Sequence, residues 1–369
     1  MLSSASGYRR AGVSRYIEAL LNELPAFLAG DDRLIAYGPA AVSKPPAPGQ
    51  RLEWRRSRLN TESPPLRILW EQTAGAAAGL ADRLDVLHSP VNVVPLLSTV
   101  PAVLTVHDLA FERYPEHYPA AKQRYLSLMT RLSALRAARI IAVSEATRND
   151  LVECYRVSPD KVAVVPNGVD DRFRPVEPGR ADAFRASQDL PEHFILFVGT
   201  LQPRKNLETL LVAMSLLPRG VDWPLVVVGG GGWKYDTIFR TVKRYGIGDR
   251  VRFAGYVPVE DLPEWYAASS IVVIPSHYEG FGLPALEAMA SGVPVIAANA
   301  SSLPEVVGDD GVLFDPADAA ELAAAIVTLV ENADLRRQLV QRGRERATGY
   351  TWWCTAAETY EIYREVAGD

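Results

Sequence analysis

Short apolar runs alternate along this chain with segments in which apolar residues recur at helical spacing. Runs rich in Val, Ile and Phe are typical of buried parallel strands, and their alternation with helical segments predicts an α/β fold with parallel sheets. The predicted strands are 102–106, 140–143 and 162–165 in the first half, and 194–198, 225–228, 251–253, 271–274 and 295–297 in the second.

A segment rich in Pro, Arg and acidic residues, 170–188, separates the two groups of strands, and we interpret it as an interdomain linker. A chain of 369 residues is long enough for two domains of ordinary size. We therefore expect a Rossmann-like domain over residues 1–172 and a second one over 173–350. Ligands in such sheets bind outside the carboxyl ends of the strands, so a site is expected there.

Composition narrows the class of protein only slightly. Hydrophobic residues make up 48% and charged residues 22% of the chain, as in globular proteins that bury substantial cores. No apolar run is long enough to span a bilayer, and no basic-then-apolar signal opens the chain. Cys154 and Cys354, the two cysteines, support neither a disulfide framework nor a cysteine zinc site. These features predict a cytoplasmic protein.

The two halves of the chain differ in charge. Residues 1–175 carry 22 Lys and Arg against 18 Asp and Glu, whereas residues 176–369 carry 17 against 26. The basic half favours binding to an anionic acceptor or to an anionic membrane surface. Binding to nucleic acid is not expected, because the chain as a whole is acidic. The densest basic patch is Lys122, Arg124, Arg131, Arg136 and Arg139, which is either a solvated helix face or a contact with a membrane-bound acceptor.

Two glutamates eight positions apart, Glu279 and Glu287, bracket a glycine-containing segment after the strand 271–274. Pro284 marks the first turn of a helix, so Glu279 is expected in the preceding loop and Glu287 in the early helical turns. Gly280 and Gly282 would let backbone N–H groups approach a phosphate at the helix N-terminus. The two carboxylates could then accept hydrogen bonds from sugar hydroxyls. The simpler interpretation is a solvated loop glutamate and a glutamate favoured by the helix dipole.

Besides the pair Glu279 and Glu287, four further motifs are present, at 165–170, 199–206, 255–258 and 303–308. Together they resemble the motifs of the retaining family 4 glycosyltransferases, which have the GT-B fold. Each motif alone is weak, but the set is specific and covers the chain from about residue 12 to its end. The resemblance implies two Rossmann-like domains that face each other across a cleft. It also implies that residues 351–369 return as a helix to the N-terminal domain.

The resemblance assigns the donor site to the second domain. Lys205 and Arg204 would neutralise the diphosphate of a nucleotide sugar, because preorganised positive charge lowers the barrier to its departure. Glu279 would lie near the sugar ring, and Glu287 would hold the ribose hydroxyls. Other residues expected at the nucleotide, sugar or phosphates are Gly199, Thr200, Tyr256, Val257, Gly280, Phe281, Gly282 and Leu283. Thr200 departs from the family, in which an arginine often follows the glycine, and Tyr256 either stacks on the base or packs.

The resemblance assigns the acceptor side to the first domain. Gly12 and Val13 resemble the loop that faces the diphosphate, and His107 resembles the histidine beside the transferred sugar. A histidine after a buried strand is also a common structural residue, so both roles stay open for His107. Relatives begin with a strand before this loop, and the sequence before residue 12 has no such run, so we expect the N-terminal sheet to lack one strand.

Three further polar residues lie near these motifs. His88 is a second candidate for the cleft, and His277 is expected to support the loop that carries Glu279. Ser144 follows the strand 140–143 and fits a helix N-cap better than a substrate ligand.

The reaction implied by the resemblance needs neither a metal nor a cofactor. The sequence has no Asp-x-Asp motif for a diphosphate-bridging metal and no residue that stands out as a covalent nucleophile, so we expect retention through departure and attack on one face of the sugar. A glycine run at 229–232 lacks the spacing of a dinucleotide-binding oxidoreductase. A phosphorylase, an epimerase and a non-catalytic nucleotide-sugar-binding subunit remain alternatives.

The identity of the substrates follows from resemblance alone. The phosphate loop 199–206 is similar to that of bacterial mannosyltransferases that build surface polysaccharides, which favours GDP-mannose as donor. UDP-glucose, UDP-N-acetylglucosamine and a dTDP-sugar are the alternatives, because a small difference in pocket shape decides among them. The acceptor is expected to be a hydroxyl of a glycan or a lipid-linked glycan. The protein would then be cytoplasmic, with peripheral contact to the inner face of an anionic membrane.

Overall fold

Strands and helices alternate along the computed structural model, which describes residues 12–38, 51–56 and 64–368. The strands are β1 (Leu34–Gly38), β2 (Leu52–Arg56), β3 (Leu87–Ser89), β4 (Ala102–Val106), β5 (Arg139–Ala142), β6 (Val162–Val164), β7 (Ile195–Val198), β8 (Leu225–Val228), β9 (Val251–Gly255), β10 (Ile271–Ile274), β11 (Val295–Ala298) and β12 (Val312–Phe314). The helices are α1 (Gly12–Glu23), α2 (Pro64–Trp70), α3 (Ala76–Ala81), α4 (Ala110–Arg113), α5 (Ala120–Arg136), α6 (Glu145–Tyr155), α7 (Pro178–Ser187), α8 (Leu207–Leu216), α9 (Asp236–Tyr245), α10 (Leu262–Ala268), α11 (Leu283–Ala290), α12 (Leu303–Val307), α13 (Ala319–Glu331), α14 (Ala333–Ala347) and α15 (Trp352–Ala367). Within the described ranges, no helix combines the length and apolar character needed to cross a bilayer.

The described residues form two compact units. One comprises the residues up to Gly168 together with those from Thr351 onward, and the other comprises Val169–Tyr350. The sheets of both units are parallel, and helices lie between most successive strands, which is the Rossmann-like pattern that the apolar runs predict.

The second unit is built on one parallel sheet of six strands in the order β12-β11-β10-β7-β8-β9. Its central strands β7, β8 and β10 consist of buried aliphatic and aromatic residues, as expected for strands covered by helices on both faces. The chain moves outward from β7 to β9, then crosses back and moves outward from β10 to β12. The strand order therefore reverses between β7 and β10, and ligands bind at such switch points in open α/β sheets.

The strands of the first unit form two parallel sheets, β1-β2 and β3-β4-β5-β6. A cavity of about 530 Å³ lies between them, lined by α1, β1, β3 and α15. Its walls combine apolar side chains such as Leu20 and Leu87 with the polar groups of Asp82 and Arg364. The strand that begins the relatives, and that we expect this chain to lack, would fall before residue 12, outside the described residues.

Helix α1 corrects one expectation from the sequence. Gly12 and Val13, expected in a loop, begin this helix. A helix forms here because Tyr16, Ile17 and Leu20 fall on one helical face and are buried in the core of the unit. Helix α15 packs on the same core, so the prediction of a C-terminal helix that returns to the N-terminal domain is confirmed.

The linker prediction is wrong for its second part. Residues 178–187 form α7. Pro178 occupies the first position of this helix, where proline is well tolerated. Phe184 on α7 packs against Trp265 with ring centroids 5.3 Å apart, and Phe173 packs against Tyr266 at 5.7 Å. The segment is therefore part of the second unit, although its many prolines and charges are typical of a linker.

All eight predicted strands are present, with ends that differ by at most two residues. Four strands in the described part of the chain were not predicted, namely β1, β2, β3 and β12. Each of them is short or mixes polar and apolar residues, so none has the continuous apolar run on which the predictions depended.

Candidate active site

The candidate site of the second unit lies where loops leave the neighbouring strands β7 and β10. The two strands pair in parallel, with Ile195 opposite Ile271 and Leu196 opposite Val272, so both carboxyl ends lie at the same edge of the sheet. The loop after β7 contains Arg204 and Lys205, and the loop after β10 contains Glu279. The switch point thus brings together residues that lie more than 70 positions apart in the sequence.

The basic residues of the first loop contact the carboxylate of the second. Lys205 donates a hydrogen bond from Nζ to Oε1 of Glu279. Arg204 donates from Nη1 to Oε2 of Glu279 at 3.2 Å and to the carbonyl of Tyr278 at 2.9 Å. Ser276 donates from Oγ to Oε1 of Glu279 at 2.6 Å. Arg204, Lys205 and Glu279, which we call the charged cluster, join the two loops.

The charged cluster is withdrawn from water. Glu279 is 6% exposed and Lys205 9%, and the side chain of Arg204 is 17% exposed. Burial alone would raise the pKa of Glu279, but the charges of Lys205 and Arg204 and the hydrogen bonds to the carboxylate outweigh it and lower the pKa to about 2. Glu279 is therefore a carboxylate at any physiological pH, and two cations are held beside it in a region of low dielectric constant.

Asn206 fixes the shape of the basic loop, a role that the sequence reasoning missed. Its backbone adopts the left-handed conformation with φ of 54°, where asparagine is tolerated better than most residues. Its side-chain Nδ2 donates to the carbonyls of Pro275 and Pro316, each at 2.9 Å. These bonds tie the loop after β7 to the residues that follow β10 and β12. The signal available in the sequence was an asparagine between a short turn and an apolar helix.

The second loop ends at the N-terminus of α11, as predicted. Gly282 precedes the helix with φ of 101°, and a Cβ at this position would lie 2.8 Å from the side chain of Leu303. A side chain is therefore disfavoured at Gly282 both by backbone conformation and by space. Gly280 is buried beside it, and the side chains of Phe281 and Leu283 are buried too. These residues can offer backbone groups to a ligand but no exposed side chain.

Glu287 lies in the second turn of α11 and is 1% exposed. The hydroxyl of Tyr266, on α10, donates to its Oε2 at 2.9 Å. Tyr266 is fully buried and was not singled out from the sequence, because an aromatic residue in an apolar helix is typical of a core position. The contact orients the carboxylate.

The glycine run after β8 lies against the phosphate loop. A Cβ at Gly229 would lie 1.9 Å from the carbonyl oxygen of Gly199, and φ of Gly229 is 154°. The N–H of Leu201 donates to the carbonyl of Gly230 at 3.0 Å. Thr200 is exposed in this loop. The backbone N–H of His277 donates to the carbonyl of Arg204 at 2.9 Å and so joins the loop after β10 to the phosphate loop.

The predicted base-binding residues follow β9. Tyr256 is 52% exposed and Val257 is half-buried. A side chain that is half exposed at a carboxyl strand end is available for stacking on a ligand, whereas it contributes little to the core. The assignment of these two residues to the nucleotide base stays a prediction.

His107 follows β4 in the first unit and is held by its neighbours. Its Nε2 donates to the carbonyl of Pro90 at 2.8 Å, and its backbone N–H donates to Oδ1 of Asn92 at 3.3 Å. The ring meets the ring of Tyr16 edge-on, with centroids 4.9 Å apart. Burial lowers the pKa of His107, against the opposing effect of the Pro90 hydrogen bond, so the ring is neutral at pH 7.

The other two polar residues of the first unit have structural contacts. His88 lies between the hydroxyl of Tyr363, at 2.5 Å from Nδ1, and the hydroxyl of Thr105, at 2.8 Å from Nε2. Burial lowers the pKa of His88 to about 3, so it is neutral as well. Ser144 caps α6, because its Oγ accepts a hydrogen bond from the N–H of Thr147 at 3.1 Å, as predicted.

No three His, Cys, Asp or Glu side chains cluster closely enough to hold a metal ion among residues 12–38, 51–56 and 64–368. Whether the reaction depends on a metal is a separate question, and metal independence stays a prediction.

Two sequence families match the chain, one for each half. Residues 10–173 match Glycosyltransferase Family 4, and residues 180–346 match Glycosyl transferases group 1. The O-antigen chain mannosyltransferase B of Escherichia coli is 35% identical over 266 residues, which are 71% of this chain and 70% of that protein. The D-inositol 3-phosphate glycosyltransferase of Kineococcus radiotolerans is 32% identical over 367 residues, with 91% of this chain and 81% of that protein covered.

Solved structures agree with the sequence families. Sucrose-phosphate synthase from Thermosynechococcus elongatus is 26% identical, with a TM-score of 0.79 over 96% of this chain and 94% of that one. The Anabaena protein HepE, solved in complex with UDP, has the same fold, with a TM-score of 0.74, 22% identity and 98% of both chains covered. The sequence motifs, the two Rossmann-like units and these matches lead to one conclusion: the chain belongs to the family 4 glycosyltransferases and is a hexosyltransferase with the GT-B fold.

Proposed function

We propose that this glycosyltransferase moves a hexose from a nucleotide-diphosphate sugar to a hydroxyl of a glycan or lipid-linked acceptor, with retention of anomeric configuration and without a metal. The observation that carries the proposal is the charged cluster of Arg204, Lys205 and Glu279 at the switch point of the second unit. Two largely buried cations in the phosphate loop are suited to a diphosphate, whose charge increases as the glycosidic bond breaks.

Lys205 and Arg204 would bind the diphosphate of the donor. Arg204 can pair with two phosphate oxygens through its planar guanidinium group, and Lys205 supplies a compact charge beside it. Gly199 and Thr200 would contact the phosphates with backbone groups. When the bond between the sugar C1 and the phosphate oxygen breaks, both cations would stabilise the negative charge that moves onto the leaving group.

The sugar and the nucleoside would bind beside α11. Glu279 would contact hydroxyls of the sugar or stabilise positive charge on its ring, since its lowered pKa keeps it ionised. Glu287, oriented by Tyr266, would accept hydrogen bonds from the ribose hydroxyls. Gly280, Phe281, Gly282 and Leu283 would offer backbone groups to the sugar and phosphates, and Tyr256 and Val257 would contact the base.

Retention would follow from departure and attack on one face of the sugar. The bond from C1 to the diphosphate breaks and the bond from C1 to the acceptor oxygen forms, while the acceptor proton passes to the departing phosphate oxygen. His107, neutral and held by Pro90, would contact the transferred sugar, and Gly12 and Val13 would contact the diphosphate. We assign these three roles by family resemblance.

We propose GDP-mannose as the donor. Two considerations support it: the form of the phosphate loop 199–206 and the relative named as an O-antigen chain mannosyltransferase. The alternative donors are UDP-glucose, UDP-N-acetylglucosamine and a dTDP-sugar, and the Anabaena protein HepE was solved in complex with UDP-glucose. A surface-polysaccharide precursor would place the enzyme in the cytoplasm, in peripheral contact with the inner face of the membrane.

The experiment that tests the proposal is thermal unfolding with GDP-, UDP-, ADP- and dTDP-sugars, with and without EDTA. A donor at a hundred times its Kd adds about 2.7 kcal/mol of stability, which corresponds to roughly 5–11 °C in a unit of this size. We expect GDP-mannose to give this rise in EDTA. Lys205→Ala and Glu287→Gln should abolish it, whereas the exposed controls Lys243→Ala and Glu331→Gln should keep it.

Product analysis tests the stereochemistry. The anomeric configuration of the product, determined by NMR, should match that of the donor. An inverted linkage would overturn the mechanism. Stabilisation by another nucleotide sugar would replace the mannosyl assignment but keep the site. Binding of donor without turnover on any acceptor would favour the non-catalytic alternative.

A further inference from the structure

The outer face of α5, in the first unit, exposes three leucines. Leu128 and Leu135 are each 58% exposed and Leu132 is 37% exposed. The residues on the opposite side of the helix are small or polar, since Thr130, Ser133 and Ala134 are completely buried. Ser133 even accepts a hydrogen bond there from the N–H of Val94, at 3.0 Å. The helix thus reverses the usual pattern, in which leucines face the core.

The leucines form one stripe along the helix. At about 100° per residue, Leu128, Leu132 and Leu135 lie within an arc of about 60°. Arg124 and Arg131 lie along one flank of this arc, about 40–60° from Leu128, and both are exposed. From Arg124 to Leu135 the surface extends about 17 Å along the helix axis. We call these five residues the α5 surface.

The charge of the α5 surface has one sign. No Asp or Glu occurs between residues 120 and 139. Three of the five basic residues of the patch predicted from the sequence have structural contacts. Arg136 donates to the carbonyls of Ser98 and Val100, Arg139 pairs with Glu365 at 3.2 Å, and Nζ of Lys122 lies 5.9 Å from the ring centroid of Tyr118. Lys122, Arg124 and Arg131 are the exposed ones.

We propose that the α5 surface docks on a lipid bilayer that contains anionic phospholipids. A bilayer offers both chemistries of the surface, because leucines can enter the boundary of the acyl chains while arginines at the flank meet phosphate groups. A second copy of the chain fits less well, since a two-fold contact between identical surfaces would bring like charges together. The proposal extends the lipid-linked acceptor of the proposed function and names the side of the first unit that faces the membrane.

The test is co-sedimentation of the full chain with vesicles, without donor or acceptor. We expect binding to vesicles of phosphatidylcholine with added phosphatidylglycerol, weaker binding as salt rises, and little binding to phosphatidylcholine alone. Leu128→Ser combined with Leu135→Ser should lower the partition coefficient at least about tenfold, because each buried leucine contributes about that factor. Arg124→Gln combined with Arg131→Gln should lower it by a similar factor.

Controls of equal exposure lie on the second unit. Leu216→Ser, at a leucine that is 52% exposed, and Arg240→Gln combined with Lys243→Gln should bind as the unchanged protein does. Thermal unfolding should be the same for all variants, because every substituted side chain is largely exposed. Equal binding to both kinds of vesicle, or unchanged binding of the α5 variants, would overturn the proposal. A concentration-dependent dimer lost in the leucine variant, without vesicle binding, would overturn it in favour of self-association.

The vesicle assay tests the docking surface, and the transferase assay tests the proposed function, so either proposal can be refuted without the other. Transfer to a soluble acceptor should be unchanged in the α5 variants. A protein that binds vesicles but transfers no sugar would contradict the proposed function and leave the docking surface in place.

Discussion

Replacement of Glu279 by glutamine tests whether the charged cluster stabilises the second unit. The substitution keeps the shape of the side chain but removes the charge beside Lys205 and Arg204. The difference between the ordinary pKa of 4.5 and about 2 corresponds to about 3 kcal/mol of folding free energy at neutral pH. For a unit of this size, that loss lowers the Tm by roughly 6–12 °C.

The effect has a defined pH dependence. A lowered pKa means that the folded protein binds fewer protons than the unfolded chain between about pH 4.5 and pH 2, so the stabilisation is complete above pH 4.5 and is lost as the pH falls through 2. Glu279→Gln lacks this titration. The difference in stability between the two proteins should therefore be constant from pH 7 to about pH 5 and shrink to about 1 kcal/mol at pH 3.

Thermal unfolding of both proteins from pH 7 to pH 3 measures this difference. The control is Asp334→Asn, which breaks an ion pair with Arg337 in which both side chains are about three-quarters exposed. Such a pair contributes at most about 0.5 kcal/mol, so the Tm should hardly change. Two results would contradict the reasoning. One is a Tm of Glu279→Gln less than about 2 °C below that of the unchanged protein at pH 7, and the other is a difference in Tm at pH 3 as large as that at pH 7.

Three further predictions concern residues that shape or border the site. Asn206→Ala removes the side-chain hydrogen bonds with Pro275, Pro316 and Thr209. It should cost about 2–4 kcal/mol of stability, measured by urea unfolding, and lower the affinity for the donor nucleotide, measured by calorimetry. Gly229→Ala places a methyl group against the carbonyl of Gly199 and should abolish donor binding, whereas Gly246→Ala, at a positive φ with open space around it, should cost only about 1 kcal/mol and leave binding intact. The ring protons of His107 should titrate in NMR spectra with a midpoint below 6.5, because burial lowers its pKa below the ordinary value; a midpoint at or above 6.5 would contradict the buried geometry.

The sequence was sufficient for the central strands, whereas the roles of the predicted site residues stay predictions. Runs such as 225–228 and 271–274 are apolar throughout, and only a strand buried on both faces needs such a run. Edge strands do not need one, and β2, which contains Trp54 between charged residues, was missed for that reason. Helix α7 was mistaken for a linker because the residues that bury it, Phe184 and Trp265, lie far apart in the sequence.

The contacts within the site could not be predicted in the same way. The phosphate loop and the glutamate pair were recognised as motifs, but the ion pairs of Glu279 join positions more than 70 residues apart. They depend on β7 and β10 being neighbours in the sheet, and strand order is not encoded in the local apolar pattern. Asn206 and Tyr266 escaped notice for the same reason, since their partners are brought close only by the fold.

Glu279 balances the charge of the site while no donor is bound. Lys205 and Arg204 are both largely buried, and two like charges in a region of low dielectric constant repel each other strongly unless an anion is present. A diphosphate brings two negative charges and competes with Glu279 for the same cations. Glu279→Gln should therefore bind inorganic pyrophosphate more tightly than the unchanged protein, as measured by calorimetry, and yet transfer sugar more slowly. If both affinity and turnover fell together in a variant that still folds, Glu279 would act only by holding the two loops in place, and the proposed competition for the cations would be wrong.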